Sequence, residues 1–213
     1  ESYKVICMSA TLNENIHTAF IRKYLPNKSI FYKSISNTEL RGKIYCDCSY
    51  ALSRDGLKNK TVKSENAIQK IVNDDRYENI ITFKDNDLIN LEGTGKRKIA
   101  HFGAVEGLDK YKGQNLCVIG TPHTSSKIYE GYYFLLTGKN PESKEWKVKR
   151  VKKYGFEFDL NTYENETDSF LTDIQLYFLY SELIQAIGRA RALRYDVDIF
   201  VYSALPIPNS KLV

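Results

Sequence analysis

The sequence predicts an α/β domain built on a mostly parallel central sheet flanked by helices. Short apolar runs rich in β-branched residues alternate with stretches of helical periodicity. Runs such as YKVICMSA and QNLCVIGTP are apolar on successive residues, as strands covered on both faces must be. A chain of 213 residues, 42% apolar and 13% aromatic, can bury a core for one large domain, or for one domain and part of another.

Taken in order, YKVICMSA reads as a buried strand and NENIHTAFIRKYL as the helix after it, capped by Asn13 and closed by Pro26. SIFYKSI is a further candidate strand, and the polar SNTELRG is a linker or boundary. KIYCDCSY predicts a strand, SENAIQKIVND a helix capped by Ser64, ENIITFKD and RKIAHFG two strands, and QNLCVIGTP a buried strand ending in a Gly-Thr-Pro turn. Open α/β sheets hold ligands beyond the carboxyl ends of their strands, so functional loops are expected after Cys7, Phe83, Phe102 and Ile119.

EWKVKRVKKYGFEFDLNTYE predicts an inserted β-hairpin with Tyr154 and Gly155 near the turn and a basic first arm. TDSFLTDIQLYFLYSELIQAIGRARAL is helical but too aromatic for one amphipathic stripe, which predicts a break near Tyr180. DVDIFVYSALPIP supplies a last strand, ended by Pro206 and Pro208. The sequence contains no internal repeat and no low-complexity tract.

The net charge of +5 and pI near 8.8 permit nucleic-acid or phosphate partners without requiring them. No apolar run approaches the roughly 20 residues that cross a bilayer, and ESYKVICMSA lacks the layout of a signal peptide, so no membrane partner and an intracellular, cytoplasmic location are expected. Cys7 and Cys117 lie in apolar runs, as buried reduced thiols do. Cys46 and Cys48 fall on one face of a strand, but a single CxC lacks the second ligand pair of a zinc site, and no metal site is expected.

The stretch SELIQAIGRARALRYD turns Leu183, Ile184 and Ile187 toward a core yet ends by presenting Gln185, Arg189, Arg191 and Arg194. Gln185 and Arg189 are four apart, hence on one helix face, with Gly188 beside them permitting close approach. Upstream, HFGAVEGLD sets Gly103 and Gly107 where a backbone can approach a phosphate, followed by Asp109 as a hydrogen-bond acceptor for a ribose or for Arg189.

Three stretches in this order resemble motifs of superfamily 2 helicases and translocases: Ser9, Ala10 and Thr11 the SAT of motif III; Gly107, Leu108 and Asp109 the GLD of motif V; and Gln185, Gly188 and Arg189 the QxxGR of motif VI. The resemblance covers nearly the whole chain and implies two parts. Residues 1–36 are the C-terminal end of a first RecA-like domain, and residues 37–213 are a complete second one, of the DExH-like kind. Arg189 is then an arginine finger for an ATP site, a role that stabilises phosphoryl-transfer charge by about three to five orders of magnitude. Arg191 is the second candidate.

The same resemblance links Ser9 and Thr11 to coupling between hydrolysis and the nucleic-acid cleft, and Gly107, Asp109 and Gly188 to the nucleotide. The family pattern QxxGRxxR puts a second arginine where this chain has Ala192. Arg191 lies roughly 200° and Arg194 roughly 140° round an ideal helix from Arg189, so either shares its face only if the helix ends or loosens near Ala190. His101 stands where the common motif V has threonine.

Candidate contacts to a DNA or RNA strand, expected as a single-stranded tract, are Gly103, Thr121 and His123, with Lys147, Lys149 and Arg150 of the hairpin around Trp146. GTPHTSSK serves either as a phosphate grip or as an ordinary capped turn, and the hairpin lysines either bind or are merely solvated. GTGK at 93–96 is no phosphate loop, because the upstream glycine is missing and Arg97 follows the lysine. With no Walker A lysine and no DExx tetrad, ATP and Mg2+ are expected to be held mainly by an upstream RecA-like domain of the same polypeptide, so this chain alone is not expected to turn ATP over. The rival expectation is a non-catalytic α/β nucleic-acid-binding module whose arginines touch phosphates.

Overall fold

The computed structural model describes residues 11–33, 39–50, 52–59, 62–84, 98–104, 109–164 and 169–213. Six strands form one all-parallel sheet: β1 (Lys43–Asp47), β2 (Asn79–Thr82), β3 (Lys98–His101), β4 (Leu116–Ile119), β7 (Asp198–Tyr202) and β8 (Lys211–Leu212), in the order β3-β2-β4-β7-β1-β8. The remaining two, β5 (Trp146–Lys153) and β6 (Phe156–Tyr163), pair antiparallel as a hairpin. This is the α/β architecture expected from the sequence and is consistent with a RecA-like sheet.

The central strands are apolar on both sides because helices cover both faces. Ile80, Cys117, Ile119 and Phe200 point into one cluster with Leu57 of α2 (Arg54–Lys58) and with Ala67, Ile68 and Ile71 of α3 (Val62–Val72). Their neighbours Ile81, Leu116, Val118, Ile199 and Val201 point the other way, against Leu179, Leu183, Ala186 and Ile187 of α5 (Phe170–Gly188). Each fully buried aliphatic side chain contributes about 2 kcal/mol. A third cluster joins α1 (Glu14–Tyr24), α4 (Ser126–Thr137), the hairpin and the first turns of α5 through Ile16, Tyr129, Tyr133, Tyr163, Leu171 and Ile174.

Several elements form as their sequences dictate. Asn13 caps α1, its side chain accepting from the Ile16 amide at 3.2 Å. The hairpin closes through Tyr154 and Gly155, both left-handed at φ 53° and 83°, as a two-residue turn between twisted strands requires. Other elements differ from expectation. α3 includes Val62 and Lys63, so Ser64 lies inside the helix and not at its cap. Residues 29–33 of SIFYKSI form no strand. α2, α4 and β8 are additional elements.

The largest correction concerns α5, which runs through Tyr180 without a break for 19 residues. Its aromatic character has another cause: one side lies on the sheet and the other under α1, α4 and the hairpin, so nearly the whole circumference is covered. Residues 14–24, which the sequence assigns to the end of a first domain, pack here against α4, where Lys23 Nζ and Tyr24 OH both donate to the Leu135 carbonyl. The strand expected at 3–10 and the boundary at 36/37 lie outside the described residues.

Candidate functional site

The arginine-bearing segment is built by a change from helix to tight turn. α5 ends at Gly188; Arg189 caps it, and Arg191 adopts a left-handed φ of 56°. Two alanines fasten this turn to the sheet. Ala190 is fully buried and its carbonyl accepts from Gly113 N at 3.1 Å, while the Ala192 carbonyl accepts from Arg41 N and Gly42 N at 3.0 and 2.9 Å. Gly42 must be glycine, since a Cβ there would lie 2.4 Å from the Val197 carbonyl oxygen. In the run Arg-Ala-Arg-Ala the small residues are therefore sealed in, and the two arginines stay half-buried at the surface. Ala192, at the position where the resemblance would place a second arginine, is buried against the sheet.

The helix does end near Ala190, which frees Arg191 from its ideal-helix position. Arg191 Nη2 pairs with Asp109 Oδ1 at 2.5 Å, joining two stretches 82 residues apart. Asp109 thus meets Arg191 and not Arg189. Arg189 is half-buried and makes no ion pair with any described residue, and its Nε is buried without a hydrogen-bond partner. Gln185, one turn earlier, has no side-chain hydrogen bond to any described residue. Gly188 is exposed, and a Cβ there would meet no described atom within 4 Å. An unmatched guanidinium, a free amide and an open backbone position can together receive an anionic group.

This cluster lies at the amino edge of the sheet, because Arg41 to Lys43 lead into β1 and Gly113 lies just before β4. The carboxyl edge is where the general rule for open α/β sheets looks first. There the crevice between β2 and β4 is filled: the Phe83 ring sits where a Cβ on Gly120 would be, 2.5 Å away, packs against Phe102 at 5.4 Å and lies under Arg54.

The proposed nucleic-acid contacts scatter. Gly103 has φ 73°, but its amide donates to Glu182 Oε2 at 3.1 Å, so a carboxylate already occupies the position a phosphate would take. Thr121 is 1% exposed, and its hydroxyl bonds Ser203 Oγ and accepts from Ala204 N, which makes it a structural residue. His123 is held largely out of water with its ring edge-on to Trp146, and burial depresses its pKa. His101 Nδ1 bonds the Phe83 carbonyl at 3.0 Å.

On the hairpin, Lys147 pairs with Glu164, Arg150 with Asp159, Lys152 with Glu157 and Lys153 with Asp173, while Lys149 is half-buried opposite Leu160. Trp146 packs at a tilt against Tyr163, ring centroids 4.8 Å apart, beside the core beneath the hairpin. Thr11 is half-buried just before α1; Ser9, Gly107 and the GTGK segment lie outside the described residues. The residues that sequence reasoning passed over are Gly42 and Gly113, and it noted Ala190 and Ala192 without their anchoring role, whose signal was the alternation of small and cationic residues after Gly188.

No family model matches the chain, and no curated protein or solved structure is significantly similar to it. Among the described residues no group of three or more His, Cys, Asp or Glu side chains converges on a metal position, and no helix is long and apolar enough to cross a membrane.

Proposed function

We propose that this chain is the C-terminal motor half of an ATP-dependent superfamily 2 helicase or translocase, lending an arginine to an ATP site whose phosphate- and Mg2+-gripping residues belong to an upstream RecA-like domain. One observation carries the reading. The motif V-like Asp109 and the motif VI-like Arg191 meet in an ion pair, two residues along the chain from an Arg189 that no described carboxylate neutralises. A structural arginine at a helix end finds a carboxylate or a carbonyl; one kept unmatched on a clamped turn is preorganised for charge that arrives from outside.

In this mechanism Arg189 meets the terminal phosphoryl group across the interdomain cleft and stabilises the charge that spreads over its oxygens in the transition state. Gln185 on the same face positions the group, Gly188 lets it come close, and Arg191 with Asp109 fixes the turn. ATP is the substrate, and Mg2+ comes with it. A DNA or RNA strand is the partner whose binding stimulates turnover.

The test is ATP turnover by the longer protein carrying the upstream domain, with and without single-stranded DNA or RNA, comparing wild type with Arg189→Ala. Turnover stimulated by nucleic acid and lowered by about two orders of magnitude or more in the variant, with strand binding retained, supports the arginine finger. Unchanged turnover with weakened binding overturns it in favour of a nucleic-acid-binding module.

A further inference from the structure

At the opposite edge of the sheet, β1 brings two thiols together. Cys46 is fully buried, and its Sγ donates to the Leu205 carbonyl. Cys48, just past the strand end, is only half-buried, and its Sγ lies 3.5 Å from that of Cys46 in hydrogen-bond contact. Both cysteines are reduced. The ladder of β1 stops at Asp47, paired with Tyr202, so the backbone of Cys48 is not held by a strand partner and can shift as a bond forms.

We propose that Cys46 and Cys48 form a thiol–disulfide exchange site that reacts with low-molecular-weight disulfides such as glutathione disulfide and closes to a Cys46–Cys48 disulfide. The order of events follows from exposure. The Cys48 thiolate, having given its proton to solvent, attacks one sulfur of the external disulfide; that S–S bond breaks, one external thiolate leaves and takes up a proton, and Cys48 carries a mixed disulfide. Cys46, too deep to meet the reagent itself, then loses its proton and attacks the Cys48 sulfur. The protein disulfide forms and the second external thiol leaves, so two protein thiols are oxidised and one external disulfide is reduced to two thiols.

Contact between the sulfurs makes the second step intramolecular and faster than attack by free thiol at millimolar concentration. The hydrogen bond to Cys46, and then burial, push the Cys48 thiol upward, so the first step is slow near neutrality and accelerates as pH rises. The inference is independent of the ATP and nucleic-acid reading.

The experiment treats the folded protein with glutathione disulfide at pH 7 and pH 9, quenches with acid, and reads intact mass and peptide maps. Wild type is expected to lose two hydrogens, with residues 46 and 48 cross-linked and faster reaction at pH 9. Cys46→Ser is expected to stop with one glutathione on Cys48, and Cys48→Ser to stay unmodified at Cys46. Wild type that stays fully reduced, or that keeps a stable glutathione on Cys48, overturns the proposal. The wild-type peptide map decides this alone if either variant fails to fold.

Discussion

Arg189 and Arg191 stand two residues apart and yet serve different ends. Arg191 meets an Asp109 side chain that is 73% exposed, and such surface pairs contribute about 0–1 kcal/mol. Arg191→Ala should therefore shift the denaturation midpoint little, and any large loss of ATP turnover in that variant reflects the site and not the fold. Gly188→Ala separates the same two contributions from the other side. An added methyl meets no described atom and φ is not left-handed, so helix propensity should stabilise the fold by up to about 1 kcal/mol. Turnover should fall at least tenfold if that space admits a phosphoryl group, and equal turnover would show that the glycine does not serve the nucleotide. His123 offers a pH test. Its folded pKa lies below the ordinary value of about 6.5, so the unfolded chain binds the proton first. Its contribution to stability is complete above about pH 6.5 and is lost as pH falls through the lowered folded value. Urea midpoints at pH 7.5 and 5.5 should show a smaller drop for His123→Gln than for wild type.

Among the elements, α5 shows where sequence reading succeeds and where it stops. Its existence was legible, since apolar residues recur at helical spacing, although the helical reading ran on to Leu193 and the helix ends at Gly188. Its continuity was not. Tyr177, Phe178 and Tyr180 look like a disrupted stripe until a second layer, invisible in local periodicity, covers them. The middle of the helix consequently bears on both layers, and Leu183→Ala, at 0% exposure, should cost about 2–5 kcal/mol by denaturant titration. The hairpin was legible to its turn residues, because strand alternation and a Tyr-Gly pair are local signals. The fate of its cations was not, because cross-strand partners depend on register: Arg150 faces Asp159 and Lys152 faces Glu157. Replacing Glu157 and Asp159 by their amides should release both cations. If the hairpin tracks a nucleic-acid backbone, the salt dependence of single-strand binding then steepens by about one phosphate contact or more; an unchanged slope would place the strand elsewhere on the protein.

For the whole molecule, the parallel sheet and its two covered faces followed from composition and run length, whereas the location of the candidate site did not. The rule that ligands lie beyond carboxyl ends pointed to Phe83 and Ile119, but the Phe83 ring fills the crevice between β2 and β4 there, and a guanidinium unmatched among the described residues lies at the other edge. Sequence alone could not reveal this, since the turn after Gly188 is fixed by carbonyls of Ala190 and Ala192 bonding to residues 77 and more positions away along the chain. If the proposed reading holds and the phosphate grip belongs to another domain, the chain by itself should show no nucleic-acid-stimulated ATP turnover, measurable by phosphate release. The uninterrupted α5 has a mechanical consequence. Nineteen residues make a rod about 28 Å long, with the hairpin bearing on its first turns and the arginine turn at its far end. A tilt of about 5° about the hairpin end carries that far end about 2.5 Å, the difference between a hydrogen bond and none. The length of the rod thus converts a small change of helix orientation into a displacement at Arg189 as large as a hydrogen bond tolerates.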